Sequence, residues 1–204
     1  MNTNALPAST RGPLKHDVRT QIVDAATAHF RLYGYEKTTV SDLAREIGFS
    51  KAYIYKFFDS KRAIGERICS ACLEEIVENV RVAIDDAANA PDKLGRMFSV
   101  AIASSLRLFF EDRKLFDIAA SAAIEHWDAV QIYERRLFAM LREIVLLGRE
   151  TGDFESETEL NDTVADIQLV LHPYLHPLLL QYRLDHAADA PPRLAALILR
   201  SLRR

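Results

Sequence analysis

The sequence predicts an all-α protein of about nine helices, with three short helices at the N-terminal end joined by one long helix to a larger helical body. Three observations predict it. Apolar residues recur at spacings of three and four along most of the 204 residues, which is the period of an amphipathic helix. No stretch shows the strict apolar and polar alternation of a half-buried strand. Glycine, proline and hydroxyl side chains fall between the periodic runs, where helices start and stop. At 49% hydrophobic composition, a chain of this length buries a sizeable core.

Residues 1–16, MNTNALPASTRGPLKH, contain two prolines and a glycine and lack the apolar run of a signal peptide. They read as a flexible arm, preferentially a solvated tail. The alternative is a basic arm in which Arg11, Lys15 and Arg19 follow a nucleic-acid backbone. From Asp17 to Tyr33, the residues Ile22, Ala25, Ala26, Phe30 and Tyr33 line one face of a helix that Gly34 ends.

The stretch TTVSDLAREIGFSKAYIYKFFDSKR, Thr38 to Arg62, reads as a helix-turn-helix. Val40, Leu43, Ala44 and Ile47 form the buried face of its first helix. Thr39 and Asp42 form a capping box at the start, and Gly48 supplies the left-handed residue at the end. Ser50 caps a second short helix that carries Lys51, Tyr53, Tyr55 and Lys56 among apolar neighbours. An α-helix fits the major groove of DNA, and a free helix N-terminus favours a phosphate. Ser50, Lys51, Tyr53, Tyr55 and Lys56 are therefore the candidate nucleic-acid contacts, with Phe57 and Phe58 read as core.

Ser60 caps a long helix running to about Asn89, ahead of Pro91, with Ile64, Ile68, Cys72, Ile76, Val80 and Ile84 at intervals of four. At 1.5 Å per residue it is a rod on the order of 40 Å long. Cys69 and Cys72 lie several turns inside it. A redox Cys-x-x-C places its first thiol at a helix N-terminus, so this pair reads as core packing.

Beyond the rod, Leu94 to Leu108, Leu115 to Ala123, Glu125 to Glu150, Glu159 to Asp185 and a last run after Pro192 each carry a helical apolar pattern. In LHPYLHPLLLQYR, Leu171 to Arg183, Pro173 and Pro177 predict a kink or break. His172 and His176, four apart, read as polar groups of a ligand cavity or of a subunit interface in preference to a metal site, which needs further ligands. Phe109, Phe110, Phe116, Trp127, Tyr133 and Phe138 are candidate walls for a small-molecule pocket, with core packing the bland reading for each taken singly.

The net charge of −3 hides an asymmetry. Up to Gly65 there are ten Lys and Arg against six Asp and Glu, a net of +4, and beyond it sixteen against twenty-three, a net of −7. A basic head and an acidic body orient a molecule on a polyanion. No nucleophile, base and orienting group fall into a catalytic pattern and no cofactor fingerprint appears, so the sequence predicts no enzyme, no cofactor and no bound metal. No apolar run approaches the length of a membrane span, and a cytoplasmic protein is expected.

The segment FRLYGYEKTTVSDLAREIGFSKAYIYKFFDSKRAIGERI, Phe30 to Ile68, resembles the DNA-binding domain of TetR family transcriptional regulators. The resemblance implies that Thr39, Ser41, Ser50, Lys51, Tyr53, Tyr55 and Lys61 touch DNA. The chain departs from many relatives where Ala52-Tyr53 replaces Gly-Thr and where Lys56-Phe57 replaces Tyr-His or Arg-His, so base preference does not carry over. The family pattern implies a flexible arm over 1–16, a helix-turn-helix DNA-binding domain over 17–62, and a helical ligand-binding and dimerisation domain over 63–204. It further implies a homodimer paired through the last two long helices, around Glu159–Asp185 and Pro192–Arg203, that reads a palindromic operator as a repressor. A small molecule bound in the body would release it. The alternative is a helical ligand-binding or interaction module that no longer reads DNA.

Overall fold

The computed structural model describes residues 15–187 and 189–203, which contain eleven helices and no strand. Residues 1–14 of the expected arm, Arg11 included, and the side chains of Lys15 and His16 lie outside this description, while the backbone of residues 15 and 16 already belongs to the first helix. Helix α1 (Lys15–Tyr33) precedes α2 (Val40–Ile47) and α3 (Lys51–Ile54); α4 (Lys61–Asp85) then enters the body. There follow α5 (Ala90–Glu111), α6 (Arg113–Ile124), α7 (Asp128–Thr151), α8 (Leu160–Leu175), α9 (Pro177–Leu180), α10 (Leu184–Ala187) and α11 (Ala190–Ser201). None of these helices is long and apolar enough to cross a membrane.

The caps read from the sequence are present. Thr39 Oγ1 accepts from the Asp42 amide at 3.2 Å while the Thr39 amide donates to Asp42 Oδ2 at 2.9 Å, satisfying donors that a helix start leaves open. Gly48 ends α2 at φ 77°. Ser50 and Ser60 accept from the Tyr53 and Ala63 amides and start α3 and α4. Helix α4 holds 25 residues, about 38 Å of rod. Its buried stripe passes through Cys69 and Leu73, while Cys72 is only half-buried. Burial pushes the Cys69 thiol up to about 12, which makes it an inert core group.

Two more helices occur than expected because the Glu159–Asp185 run divides into α8, α9 and α10. The break is at His176, whose ψ of 121° is extended, the conformation that the Pro177 ring favours for the residue before it. Pro173, in contrast, stays inside α8. The carbonyl that it leaves without an amide partner belongs to Leu169, a residue 72% exposed, so solvent can satisfy it.

One hydrophobic core runs from Val18 on α1 through α4, α5 and α7 to Leu202, and a satellite of Phe109, Phe116, Leu180 and Ala187 joins the ends of α5, α6, α9 and α10. The first three helices meet the body at a defined junction. The Tyr35 ring and the Trp127 indole pack edge to face, centroids 5.8 Å apart, and both close over Gly65 on α4. A Cβ at Gly65 would lie 2.8 Å from Tyr35 Cε2 and 3.0 Å from Trp127 Cη2. Trp127 Nε1 donates to Glu125 at 2.8 Å, and the turn that delivers it takes His126 to φ 52°. At the other end of α6, Arg31 of α1 donates twice to Asp112, at 2.9 and 2.7 Å.

Alanine at Gly65 and at Gly95 has opposite expected outcomes. At Gly95 nothing stands within 4 Å of the new Cβ, so Gly95→Ala gains up to about 1 kcal/mol of helix propensity. At Gly65 the same gain is outweighed by overpacking of roughly 1–3 kcal/mol between two buried rings. Urea unfolding checks this as a raised midpoint for Gly95→Ala and a lowered one for Gly65→Ala.

Candidate nucleic-acid interface and ligand cavity

The buried faces of α2 and α3, Val40, Leu43, Ala44 and Ile54, hold the motif on the core and leave its outer surface free. Ser41, Ser50, Lys51, Tyr55 and Lys56 are exposed there. Lys51 Nζ lies 5.8 Å from the centroid of the Tyr55 ring and Lys56 Nζ lies 5.7 Å from that of Tyr53, so each ammonium is held near an aromatic face with hydrogens still to donate. Tyr53 is half-buried between Phe49 and Phe57, at centroid distances of 5.0 and 5.3 Å, and fixes the shape of the recognition segment. Arg19 stacks over Phe58, 5.4 Å from its centroid, and ties α1 to the end of the motif.

Two expected contacts are engaged within the protein. The Thr39 hydroxyl donates to Asp42 Oδ2 at 2.6 Å, and the hydroxyl and amide of Thr39 together hold the Asp42 carboxyl below its ordinary range. The Lys61 ammonium donates to the Tyr35 carbonyl at 3.1 Å and the Glu36 carbonyl at 3.5 Å, and stands 4.3 Å over the Tyr35 ring. Two of its three donors thus brace the loop between α1 and α2, and one is left. The acceptors are backbone carbonyls far back in the chain, which side-chain spacing does not reveal.

In the body a cavity of ≈ 40 Å³ lies between α4, α5, α6, α7 and the α8–α9 break. Of the residues named from the sequence, Phe116, Tyr133, Phe138, His172 and His176 line it. Phe109, Phe110 and Trp127 do not. Phe109 belongs to the satellite cluster, Phe110 is 66% exposed, and Trp127 is fully buried at the junction with α4. Neighbours on a helix point about 100° apart, and here that turn sends Phe109 into the satellite cluster and Phe110 out to solvent.

Sequence reasoning missed Leu73, Ile76, Ser105, Ala119, Glu134, Leu137 and Leu180, which complete most of the wall. Glu134 had a readable signal, being adjacent to Tyr133 and four residues before Phe138 on one helix. Tyr133 is 6% exposed and its hydroxyl has no hydrogen-bond partner among the described residues. Ser105 is close enough to lower its pKa, against the larger effect of burial, while the Ser105 hydroxyl itself donates to the Ala101 carbonyl at 3.0 Å. His176 Nδ1 is likewise buried without a partner, and its ring lies 5.1 Å from that of the exposed His172. Among the described residues no group of three or more His, Cys, Asp or Glu is placed to hold a metal ion.

Comparison with known proteins follows both halves of this geometry. Residues 22–68 match the model of bacterial regulatory proteins, tetR family, and residues 90–194 match that of the tetracyclin repressor-like C-terminal domain. A TetR family transcriptional regulator, PfmR from Thermus thermophilus, superposes with a TM-score of 0.61 at 26% identity, over 90% of this chain and 99% of that one. A protein of unknown function from Rhodococcus sp. RHA1 superposes at 0.70 with 15% identity, covering 97% and 99% of the two chains, and shows the shared fold. In sequence, IcaR of Staphylococcus aureus strain Newman, the negative transcriptional regulator of a biofilm operon, is 35% identical over 57 residues. That alignment takes 28% of this chain and 31% of the relative. The chain thus spans about a third of the length of the curated relatives it matches.

Burial, and then the neighbouring His172, lower the His176 pKa from 6.5, with Glu134 opposing. A base whose folded pKa is depressed contributes stability that is complete above its unfolded value and is lost as pH falls through the folded one. The melting temperature is therefore expected to fall as the pH is lowered through and below 6.5, and His176→Asn is expected to flatten that slope. Thermal melts of the two proteins across that pH interval check it.

Proposed function

This chain belongs to the tetR family of bacterial regulatory proteins, and we propose that it is a cytoplasmic, homodimeric transcriptional repressor released from a palindromic operator by a small molecule held in its cavity. On this reading residues 17–62 read DNA and residues 63–204 bind the effector and the second subunit. The observation that carries it is the outer face of the helix-turn-helix. There Ser41, Ser50, Lys51, Tyr55 and Lys56 stand exposed beside a helix start whose core side is fully packed. Side chains that carry charge and hydroxyls on a rigid helix suit phosphate positioning and base-edge contact.

The dimer reading is supported by the outer faces of α8 and α11. Leu169 is 72% and Leu197 53% exposed, so each outer face offers one large apolar side chain to a partner. Around Leu169 the exposed residues of α8 include Asp162, Ala165, Asp166 and His172, and around Leu197 those of α11 include Arg193, Ala196, Arg200 and Ser201. Small residues let helices approach, and the opposite charges of the two faces suit an interface in which each surface meets its complement across a two-fold axis.

Release follows from what α6 joins. Phe116 and Ala119 present it to the cavity, while Asp112 and Trp127 at its ends hold α1 and α4. The void is too small for a typical ligand of several hundred Å³, so occupancy moves the walls. A shift of α6 is passed to Gly65 and to the recognition segments, and effector and operator then favour different arrangements of the same junction.

Selection from random duplex DNA tests the reading. A palindrome is expected to be enriched, and Lys51→Ala is expected to weaken its binding at all sequences and reduce the salt slope by about 1. Tyr55→Ala is expected to lose about 1–3 kcal/mol and to relax the preference at one base pair. A folded protein that enriches no sequence, with or without candidate effectors, contradicts it and favours the module that does not read DNA. For the dimer, Arg193→Glu with Arg200→Glu is expected to shift sedimentation to the monomer, and Asp162→Arg with Asp166→Arg in the same chain to restore the dimer.

A further inference from the structure

The polar atoms of the cavity specify more than a generic apolar guest. Tyr133 is almost wholly buried, its hydroxyl makes no hydrogen bond of good geometry among the described residues although Ser105 lies near it, and burial pushes its pKa up, so it keeps its proton and remains a donor. A buried donor without a partner has given up its water and received nothing in exchange. The group that would satisfy it is an acceptor atom on a guest. His176 Nδ1 is the second unpartnered atom of the wall, and it can accept from a hydroxyl or donate to a carbonyl according to its tautomer.

The charges of the wall decide which acceptors are admitted. The lining holds no Lys or Arg, and Glu134 is its only carboxylate. Both unpartnered groups feel that carboxylate, since it raises the pKa of Tyr133 and of His176. Glu134 enters no salt bridge among the described residues, so no paired cation offsets its repulsion of a second anion. A carboxylate or a phosphate ester is thus disfavoured. An ammonium ion would be drawn to Glu134 but offers the Tyr133 hydroxyl no acceptor.

We propose that the cavity takes an uncharged, mainly apolar molecule carrying an alcohol or carbonyl oxygen, with Tyr133 Oη and His176 Nδ1 reading that oxygen and the side chains of Phe116, Leu137 and Phe138 holding the hydrocarbon. The proposal rests on the cavity being the effector site. Access lies at the α8–α9 break, because His176 and Pro177 both line the void and α9 is a single short turn seated on the satellite cluster. Movement of that turn admits the guest, whose bulk then bears on α6 through Phe116 and Ala119.

Calorimetric titration of the full-length protein with octanol, octanoate and octylammonium at neutral pH tests it, together with two variants. Tyr133→Phe removes only the unpartnered hydroxyl and retains the fold, which a thermal melt verifies. Ala119→Phe fills the cavity from α6. Octanol is expected to bind at least about tenfold more tightly than either ion, to lose about tenfold in Tyr133→Phe, and to be excluded by Ala119→Phe. A charged probe that binds as tightly as octanol, yet is still excluded by Ala119→Phe, overturns the proposed class and leaves the site standing. Octanol binding insensitive to both variants overturns the assignment of the site itself. Binding by none of the three overturns the proposed class.

Discussion

Helix α4 must pass from the recognition segments into the body at a point where two aromatic rings close on it, and Gly65 is the only residue of that helix without a side chain to obstruct them. Everything downstream inherits this constraint. With Tyr35 and Trp127 seated on Gly65, the turn at His126 fixes the C-terminal end of α6, and the α1–α2 loop is fixed from the other side by the Lys61 ammonium. Magnitudes rank the contacts of the junction. Truncating a fully buried tryptophan costs about 3–5 kcal/mol, whereas an exposed pair such as Arg31 and Asp112 contributes up to about 1 kcal/mol. The rings hold the two regions together, and the ion pair sets their register.

The cavity is the counterpart of that rigidity. Its walls are shared between the continuous core and the satellite cluster, yet it keeps a void and two polar atoms without good hydrogen bonds where close packing would remove both. Such features lower the stability of the region that holds them, and they lie beside the least continuous stretch of the body, where Pro177 interrupts α8 and only short turns follow. Local instability next to a helix that also touches α1 and α4 is the arrangement a two-state regulator requires. Helix α6 is short, has one end at each junction contact and one face on the void, and so cannot move at the cavity without moving at the junction.

What the sequence revealed and what it concealed divide by range. The helix-turn-helix was legible because its determinants are local: Val40, Leu43, Ala44 and Ile47 repeat at helical spacing, Thr39 and Asp42 cap three residues apart, and Gly48 must be left-handed. The interruption of α8 was legible as proline chemistry, but its position depended on tertiary context that tolerates Pro173 and not Pro177. Of the cavity, Phe116, Tyr133, Phe138, His172 and His176 were found as large or polar side chains in helical runs. Trp127 was read as a cavity wall because its partner, Gly65, lies far away in sequence on another helix. An isolated glycine inside a helical pattern signals such a close approach. Phe110 falls off the stripe formed by Leu94, Met97, Phe98 and Ala101, and strict use of the helical period places it outside.

The measurement that tests the central claim most directly is hydrogen exchange of the backbone amides with and without the selected operator duplex. Because coupling between two sites is reciprocal, DNA bound at α2 and α3 must be felt at the cavity. The account predicts altered exchange in Arg113–Ile124 and in the turn of α4 around Leu73 and Ile76, in addition to protection of the recognition segments. Changes confined to residues 15–62, with α6 and the cavity walls unaffected, would contradict it.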